Sequence, residues 1–208
     1  MKHSISVNRT AHYHTLGDLN KADTVWFVLH GYGMLPEFFI NKFKLIANEK
    51  NFIVAPEGLS KFYLEGFSGK IGANWMTKNS REDEINDYLN YLNQLYDTVI
   101  GNHSNIKVNV LGFSQGGATA SRWVENNHIA CNNLILWSST FPKDIDLLKI
   151  EVDQTYIACG TNDEFITQEY IHKQQRLLNA AQFSYEFIEF DGPHNSPPNV
   201  LSEVVLKY

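Results

Sequence analysis

The sequence is poor in the residues that build disulfide frameworks. It has two cysteines in 208 residues. Cys131 and Cys159 both flank predicted core strands, where a free thiol behaves as a small apolar side chain. A fold stapled by disulfides is therefore not expected.

Excess positive charge and long apolar runs are also missing. Lysine and arginine number 17 against 23 acidic residues, for a net charge of −6. No basic run could follow a phosphate backbone or hold an anionic membrane, so a nucleic-acid partner is not expected. No stretch approaches a membrane span, and residues 1–9 lack the apolar core of a signal peptide, which predicts a cytoplasmic protein without a membrane span.

The length and composition fit one globular domain, since 43% of the 208 residues are hydrophobic. Short β-rich runs alternate with longer helical patterns, which predicts a mostly parallel sheet with helices on both faces. The predicted strands are Thr24 to His30, Asn51 to Ala55, Ile106 to Leu111, Asn133 to Trp137, Gln154 to Ala158 and Ser184 to Phe190. The predicted helices are Glu37 to Lys50, Arg81 to Ile100, Gln115 to Asn126 and Gln168 to Ala181.

Three further segments carry local signals. Residues 5–7 and 12–14 alternate as edge strands or a hairpin do. The run Ser80-Arg81-Glu82-Asp83 predicts a capping box for the second helix. Pro56 to Asn79 is the longest irregular stretch and is aromatic, so Phe62, Tyr63 and Trp75 are candidate pocket residues, or they pack the loop on itself.

The most informative motif is Gly112-Phe113-Ser114-Gln115-Gly116-Gly117, which lies between a predicted strand and a predicted helix. A serine on such a turn, flanked by small residues, forms a nucleophile elbow. Gly112 and Gly116 leave the nucleophile open, and Gly117 lets the helix pack closely on the sheet. The alternative is an ordinary glycine-rich turn.

A serine nucleophile needs a histidine base, which in elbow-bearing hydrolases follows the acid in the chain. Of the three downstream histidines, His128 and His172 fall on predicted helix surfaces. His194 follows the last predicted strand, at the carboxyl edge where such folds bind ligands, and is the candidate base.

The candidate acid is Asp163, in the loop after the strand Gln154 to Ala158. Its neighbour Glu164 and Asp191 are the alternatives, and Asp163 could instead be a turn or helix-start residue. Backbone N–H groups of Tyr32, in the loop after the first strand, and of Gln115 are candidates for an oxyanion hole.

These residues resemble those of a known group of enzymes. The strings Leu29-His30-Gly31-Tyr32-Gly33 and Gly-Phe-Ser-Gln-Gly-Gly, with Asp163 and His194 in this order, resemble the small phospholipase/carboxylesterase family that includes the acyl-protein thioesterases. The resemblance covers essentially the whole chain. It implies an α/β-hydrolase fold with little or no cap, a Ser114-Asp163-His194 triad, and hydrolysis of carboxylic esters or thioesters without a cofactor.

Two departures from the family pattern concern specificity and loop shape. Met34-Leu35-Pro36 stands where many relatives have an aspartate, and Cys159-Gly160 and Thr167 replace a His-Gly pair and a proline. The expected substrate is a small-molecule ester or thioester, with an acylated lipid or protein as the alternative. Acyl transfer to an acceptor other than water and a non-catalytic binding protein of the same fold remain as alternatives.

A metal site has one weak signal. His12 and His14 would share one face of a strand. Further ligands at recognisable spacing do not follow, so an edge-strand surface is expected instead of a metal site.

Overall fold

The computed structural model describes residues 1–101, 103, 105–197 and 201. In this part of the chain, seven strands form one sheet, two form a hairpin, and four α-helices surround them. The strands are β1 (Tyr13–Leu16), β2 (Thr24–Leu29), β3 (Asn51–Pro56), β4 (Ser60–Tyr63), β5 (Ile71–Asn74), β6 (Lys107–Phe113), β7 (Asn133–Trp137), β8 (Gln154–Gly160) and β9 (Glu186–Phe190). The helices are α1 (Pro36–Phe39), α2 (Arg81–Ile100), α3 (Gln115–Glu125) and α4 (Gln168–Ala180), with 3₁₀ turns at Ile40–Phe43 and Leu147–Lys149.

The large sheet has the order β1-β3-β2-β6-β7-β8-β9. Every neighbouring pair is parallel except β1 with β3, which confirms the predicted, mostly parallel sheet. In the β2–β6 register Leu29 lies opposite Gly112, so the residues that follow both strands meet at one edge. The carboxyl ends of β2, β6, β8 and β9 therefore gather the loops that carry the candidate site.

Helices cover both faces of the sheet, as expected. One face packs against α2, α3 and α4, whose buried side chains include Tyr88, Trp123 and Leu178. Trp123 meets Phe27 of β2 edge-on at a ring separation of 5.2 Å. The other face packs against the short helical segment after β2, and the described residues contain no inserted helical cap.

The predicted helix Glu37 to Lys50 is wrong in its length. One α-turn, Pro36–Phe39, leads directly into the 3₁₀ turn Ile40–Phe43. The buried side chains Ile40, Phe43 and Ile46 recur every third residue, which matches the three-residue repeat of a 3₁₀ helix. Asn48 then accepts the N–H of Lys50 and so closes the turn before β3.

The segment Pro56 to Asn79 is also more regular than expected, because it contains the antiparallel hairpin of β4 and β5. The connection turns at Gly66 and Gly69, both of which have positive φ. The hairpin attaches to the loop after β2 through a bridge between Met34 and Ala73. It therefore forms a structured wall beside the candidate site.

Two smaller predictions also need correction. Helix α2 has the predicted bounds, but Ser80 lies in the left-handed region and its side chain makes no capping bond. Glu84 instead reaches back and accepts the Thr77 hydroxyl at 3.0 Å. At the amino terminus, the edge strand Tyr13–Leu16 overlaps the predicted segment 12–14 but extends beyond it, whereas residues 5–7 belong to no strand.

Among the helices of the described residues, none is both long and apolar enough to cross a bilayer.

Candidate active site

Ser114 occupies a sharp turn between β6 and α3. Its backbone has φ +52° and ψ −118°, a strained conformation for a residue with a side chain. The Ser114 N–H donates to the Trp137 carbonyl of the neighbouring strand at 2.9 Å, which fixes the turn against the sheet. The predicted strand-turn-helix context of the elbow is therefore present.

The backbone segments at this turn approach one another so closely that the two flanking positions must be glycine. A side chain at Gly112 would overlap the Gly116 backbone, and one at Gly116 would overlap the carbonyls of Leu29 and His30. The chain can reverse here only because both positions lack a Cβ. Ser114 consequently stands beside the end of β2 as well as the end of β6.

The three predicted triad residues lie within hydrogen-bond distance of one another. His194 Nε2 is 2.8 Å from Ser114 Oγ, and His194 Nδ1 is 2.8 Å from Asp163 Oδ2. The side chain of Asp163 is fully buried and that of His194 is 12% exposed. The arrangement gives Ser114 a proton acceptor and gives the imidazole an orienting carboxylate.

Asp163 is held as a charged group by backbone donors. Its Oδ1 accepts the N–H groups of Phe165 at 2.9 Å and Ile166 at 2.8 Å. Burial alone would raise the pKa of Asp163, but the Ile166 N–H, the His194 ring and the Phe165 N–H together hold that pKa below its ordinary value. The alternative in which Asp163 only starts a turn accounts for the backbone bonds but not for the contact with His194.

The loop that carries His194 is anchored on both sides of the histidine. Glu164 Oε2 accepts the His194 N–H at 3.3 Å, so this exposed neighbour of Asp163 contacts the base through its backbone only. The Asn195 carbonyl accepts both the Trp137 indole N–H and the Ser138 hydroxyl. These bonds aim the imidazole towards the elbow.

Two aromatic rings that sequence reasoning missed flank the imidazole. The Phe113 ring is 5.2 Å from the His194 ring, and the Phe165 ring is 4.8 Å from it in an edge-on arrangement. Phe113 is buried, whereas Phe165 is 70% exposed. Their positions beside Ser114 and Asp163 in the chain are the only sequence signal that could have indicated them.

Two backbone N–H groups of the loop after β2 are used in hydrogen bonds that hold the loop. The Gly33 N–H donates to Ala73 and the Met34 N–H donates to Gly31, at 2.8 and 3.2 Å. The Tyr32 N–H takes part in neither bond, and its role as an oxyanion donor stays a prediction. The Gln115 N–H lies at the first position of α3, where helical N–H groups lack intrahelical partners.

The Gln115 side chain has a separate role in joining the elbow to the segment after β5. Its Oε1 accepts the Trp75 N–H at 3.1 Å, and its Nε2 donates to the Met76 carbonyl at 2.8 Å. Both ends of the amide are thereby bonded to backbone groups. The role of the Gln115 main-chain N–H as an oxyanion donor stays a prediction.

The three candidate pocket residues have different surroundings. Trp75 is 2% exposed and belongs to the core, so its side chain lies beneath the site and does not form an open wall. Phe62 is half-buried, with its ring 5.0 Å from that of Tyr32. Tyr63 follows Phe62 in β4 and, because side chains alternate along a strand, it faces away from Tyr32.

The alternative candidates lie elsewhere. His128 contacts the exposed carboxylate of Asp97 at 3.0 Å, and His172 is exposed on α4. Asp191 accepts a bond from Thr161 instead of the imidazole. In the described part of the chain, no group of three or more His, Cys, Asp or Glu side chains is arranged to hold a metal ion.

A cavity of about 550 Å³ lies away from these residues. It is lined by Leu147, Ile150, Thr155 and Phe183, at the start of β8 and the turn that follows α4. This is the amino edge of the sheet, opposite the edge that carries Ser114. The cavity therefore lies at the edge of the sheet where folds of this kind do not bind their ligands, and the candidate active site stays at Ser114.

The fold of this chain is similar to that of known proteins, although its sequence is not. No family model matches the chain, and no curated protein matches it in sequence. Solved structures do match: acyl-protein thioesterase 2 of Zea mays has a TM-score of 0.73 at 15% identity, covering 95% of this chain and 97% of the other. A carboxylesterase of Mesorhizobium loti has a TM-score of 0.72 at 17% identity, covering 95% and 94% of the two chains.

A Bacillus cereus carboxylesterase is similar to the same extent, with a TM-score of 0.70, 15% identity, and coverage of 97% and 94%. These neighbours are esterases and thioesterases built on the α/β-hydrolase fold. The similarity extends over nearly the whole of both chains in each comparison. The chain therefore has the α/β-hydrolase fold implied by its sequence motifs.

Proposed function

We propose that this protein is a serine carboxylesterase that hydrolyses carboxylic esters or thioesters through an acyl-enzyme. The observation that carries the proposal is the hydrogen-bonded series from Asp163 through His194 to Ser114, with 2.8 Å contacts at both ends of the imidazole. A serine hydroxyl becomes an effective nucleophile only when a base can take its proton. The esterase and thioesterase neighbours support the same class of reaction.

The reaction follows from the positions of these groups. Ser114 Oγ attacks the acyl carbonyl while His194 Nε2 takes its proton, and Asp163 stabilises the resulting imidazolium. The oxyanion accepts the N–H groups of Tyr32 and Gln115. The imidazolium then protonates the leaving alcohol or thiol, and a water molecule, activated by the same histidine, releases the acid from Ser114.

The apolar surroundings favour a substrate with an apolar portion. Tyr32 is 60% exposed and its ring packs against that of Phe62 in a tilted arrangement, and Leu64 lies close to Gly33. Phe165 is exposed on the other side of the imidazole. We assign Tyr32, Phe62 and Phe165 as candidate contacts for the apolar part of a small-molecule ester, whereas Trp75 packs in the core against His30.

Covalent labelling tests the proposal directly. A fluorophosphonate probe should modify Ser114, because the base activates this hydroxyl towards a tetrahedral electrophile. Intact-mass analysis and peptide mapping should show one adduct, which disappears in Ser114→Ala.

The matched control is Ser121→Ala, because Ser121 lies on the same helix but is buried and donates to the Gly117 carbonyl. This variant should label as the wild type does. An adduct on another residue would overturn the elbow assignment. Absence of labelling and of hydrolysis across a panel of p-nitrophenyl esters and acyl thioesters would favour the non-catalytic binding protein.

A further inference from the structure

His30 is a buried imidazole that the proposed reaction does not use. It is 0% exposed at the end of β2, directly before the loop with the candidate oxyanion donor. Its two ring nitrogens contact the backbone at two places. Nδ1 is 2.8 Å from the Gly31 carbonyl, and Nε2 is 3.0 Å from the Gly58 nitrogen.

These contacts determine which nitrogen carries the proton. The Gly58 N–H can only donate, so Nε2 must accept and is unprotonated. The proton is then on Nδ1, which donates to the Gly31 carbonyl. Burial lowers the pKa of His30 to about 4, so the ring is neutral and keeps this tautomer at neutral pH.

The bond to Gly31 has a consequence for Tyr32, because the Gly31 carbonyl and the Tyr32 N–H belong to one peptide unit. In a planar trans peptide these two groups point in opposite directions. The carbonyl accepts both the His30 ring and the Met34 N–H, at 2.8 and 3.2 Å. A carbonyl held by two donors holds the attached N–H in the opposite direction.

The geometry points to His30 as the positioning residue of the oxyanion hole, acting through the Gly31–Tyr32 peptide to aim the Tyr32 N–H at the oxyanion. This inference rests on the proposed esterase function. Trp75 links the adjoining His30–Gly31 peptide to the Gln115 side chain, because its indole donates to the His30 carbonyl at 2.8 Å and its N–H donates to Gln115 Oε1. The residues that carry the two candidate donors are thus joined by hydrogen bonds through Trp75.

Two variants separate positioning from mere filling of the core. In His30→Asn the side-chain amide nitrogen occupies nearly the place of Nδ1 and can still donate to Gly31. In His30→Gln the amide reaches the place of Nε2, so the Gly58 contact is kept and the Gly31 contact is lost. The measurements are kcat and KM on p-nitrophenyl acetate, binding of a trifluoromethyl ketone, and thermal midpoints.

His30→Gln should lose about tenfold to a hundredfold in kcat with KM nearly unchanged, since removal of a whole oxyanion donor costs about 10²–10³. Its affinity for the trifluoromethyl ketone, which forms an oxyanion on the serine, should fall by the same factor. His30→Asn should stay within about fivefold of wild type in both measurements. Equal losses in the two variants, or a near wild-type His30→Gln, would overturn the inference.

A test on the wild-type protein does not depend on whether either variant folds. Nitrogen-15 NMR of the His30 ring should show a protonated Nδ1 and an unprotonated Nε2 between pH 6 and 8, and the reverse tautomer would refute the positioning role. Failure of the proposed function has a different signature. In that case the wild type neither hydrolyses the ester nor binds the ketone, whatever the tautomer of His30.

Discussion

The nucleophile side and the base side of the candidate site are held in different surroundings. On the nucleophile side, the elbow and the loop after β2 lie against the core: His30 is fully buried, and Ser114 is bonded to β7 through its backbone. On the base side, the loops after β8 and β9 contact each other near the surface. There Asn162 donates to Gly192 at 3.0 Å, and Phe165 covers His194 from the solvent side.

This difference indicates how each side should respond to substitution. A change on the nucleophile side disturbs packed backbone, so it alters both chemistry and stability. A change on the base side can remove one chemical group and leave the surrounding sheet intact.

His194→Ala should lower kcat by at least about a thousandfold, because no other group lies within hydrogen-bond distance of Ser114 Oγ as a base among the described contacts. The fold should persist, since the side chain lies near the surface. Steady-state kinetics and circular dichroism measure the two effects.

The control for that variant is His128→Ala, which removes an exposed contact with Asp97 and an edge-on contact with Tyr96, both remote from Ser114, and should leave kcat unchanged. An active His194→Ala together with an inactive His128→Ala would reverse the assignment of the base.

Asp163→Asn should keep the fold and lower kcat by about 10²–10⁴. Its carbonyl oxygen can still accept the two backbone N–H groups, but its amide then faces His194 Nδ1 and favours the wrong tautomer. The matched change Glu164→Gln should alter kcat less than about threefold, because a glutamine oxygen can still accept the His194 N–H.

Kinetics of these two variants on one p-nitrophenyl ester decide between the neighbouring carboxylates. A large loss in Glu164→Gln with a small one in Asp163→Asn would move the acid to Glu164.

Acidification should lower the stability of the protein through the buried imidazole of His30 on the nucleophile side. The pKa of His30 is about 4 in the folded state against 6.5 for the free side chain. Between these values the unfolded chain binds a proton that the native state does not, so stability falls as pH decreases. From pH 7 to pH 5 this single group should cost about 2 kcal/mol in the free energy of unfolding.

Urea denaturation of wild type and His30→Asn at both pH values measures this contribution. The variant cannot titrate at this position, so its stability should fall by about 2 kcal/mol less over the same interval. An identical pH dependence in the two proteins would contradict a buried neutral His30.

Local patterns in the sequence were sufficient for much of the fold. The apolar side of α2 repeats with helical spacing, and the predicted bounds Arg81 to Ile100 are those observed. The predicted strands agree within about two residues, because β-branched runs end at recognisable turns. The segment from 36 to 50 was misjudged because its three-residue apolar spacing resembles an α-helical pattern over so short a stretch.

The sequence alone predicted the strand-turn-helix at Ser114 and the strand ends beside it, since these depend on neighbouring residues and on backbone stereochemistry. Only the tertiary structure decided which groups meet. Ser114 and His194 are 80 residues apart, and His30 and Gly58 are 28 apart, so their contacts depend on the order of strands in the sheet. The structure also decided that Trp75 is core, because a buried aromatic ring and one that lines a pocket are alike in sequence and differ only in what packs against them.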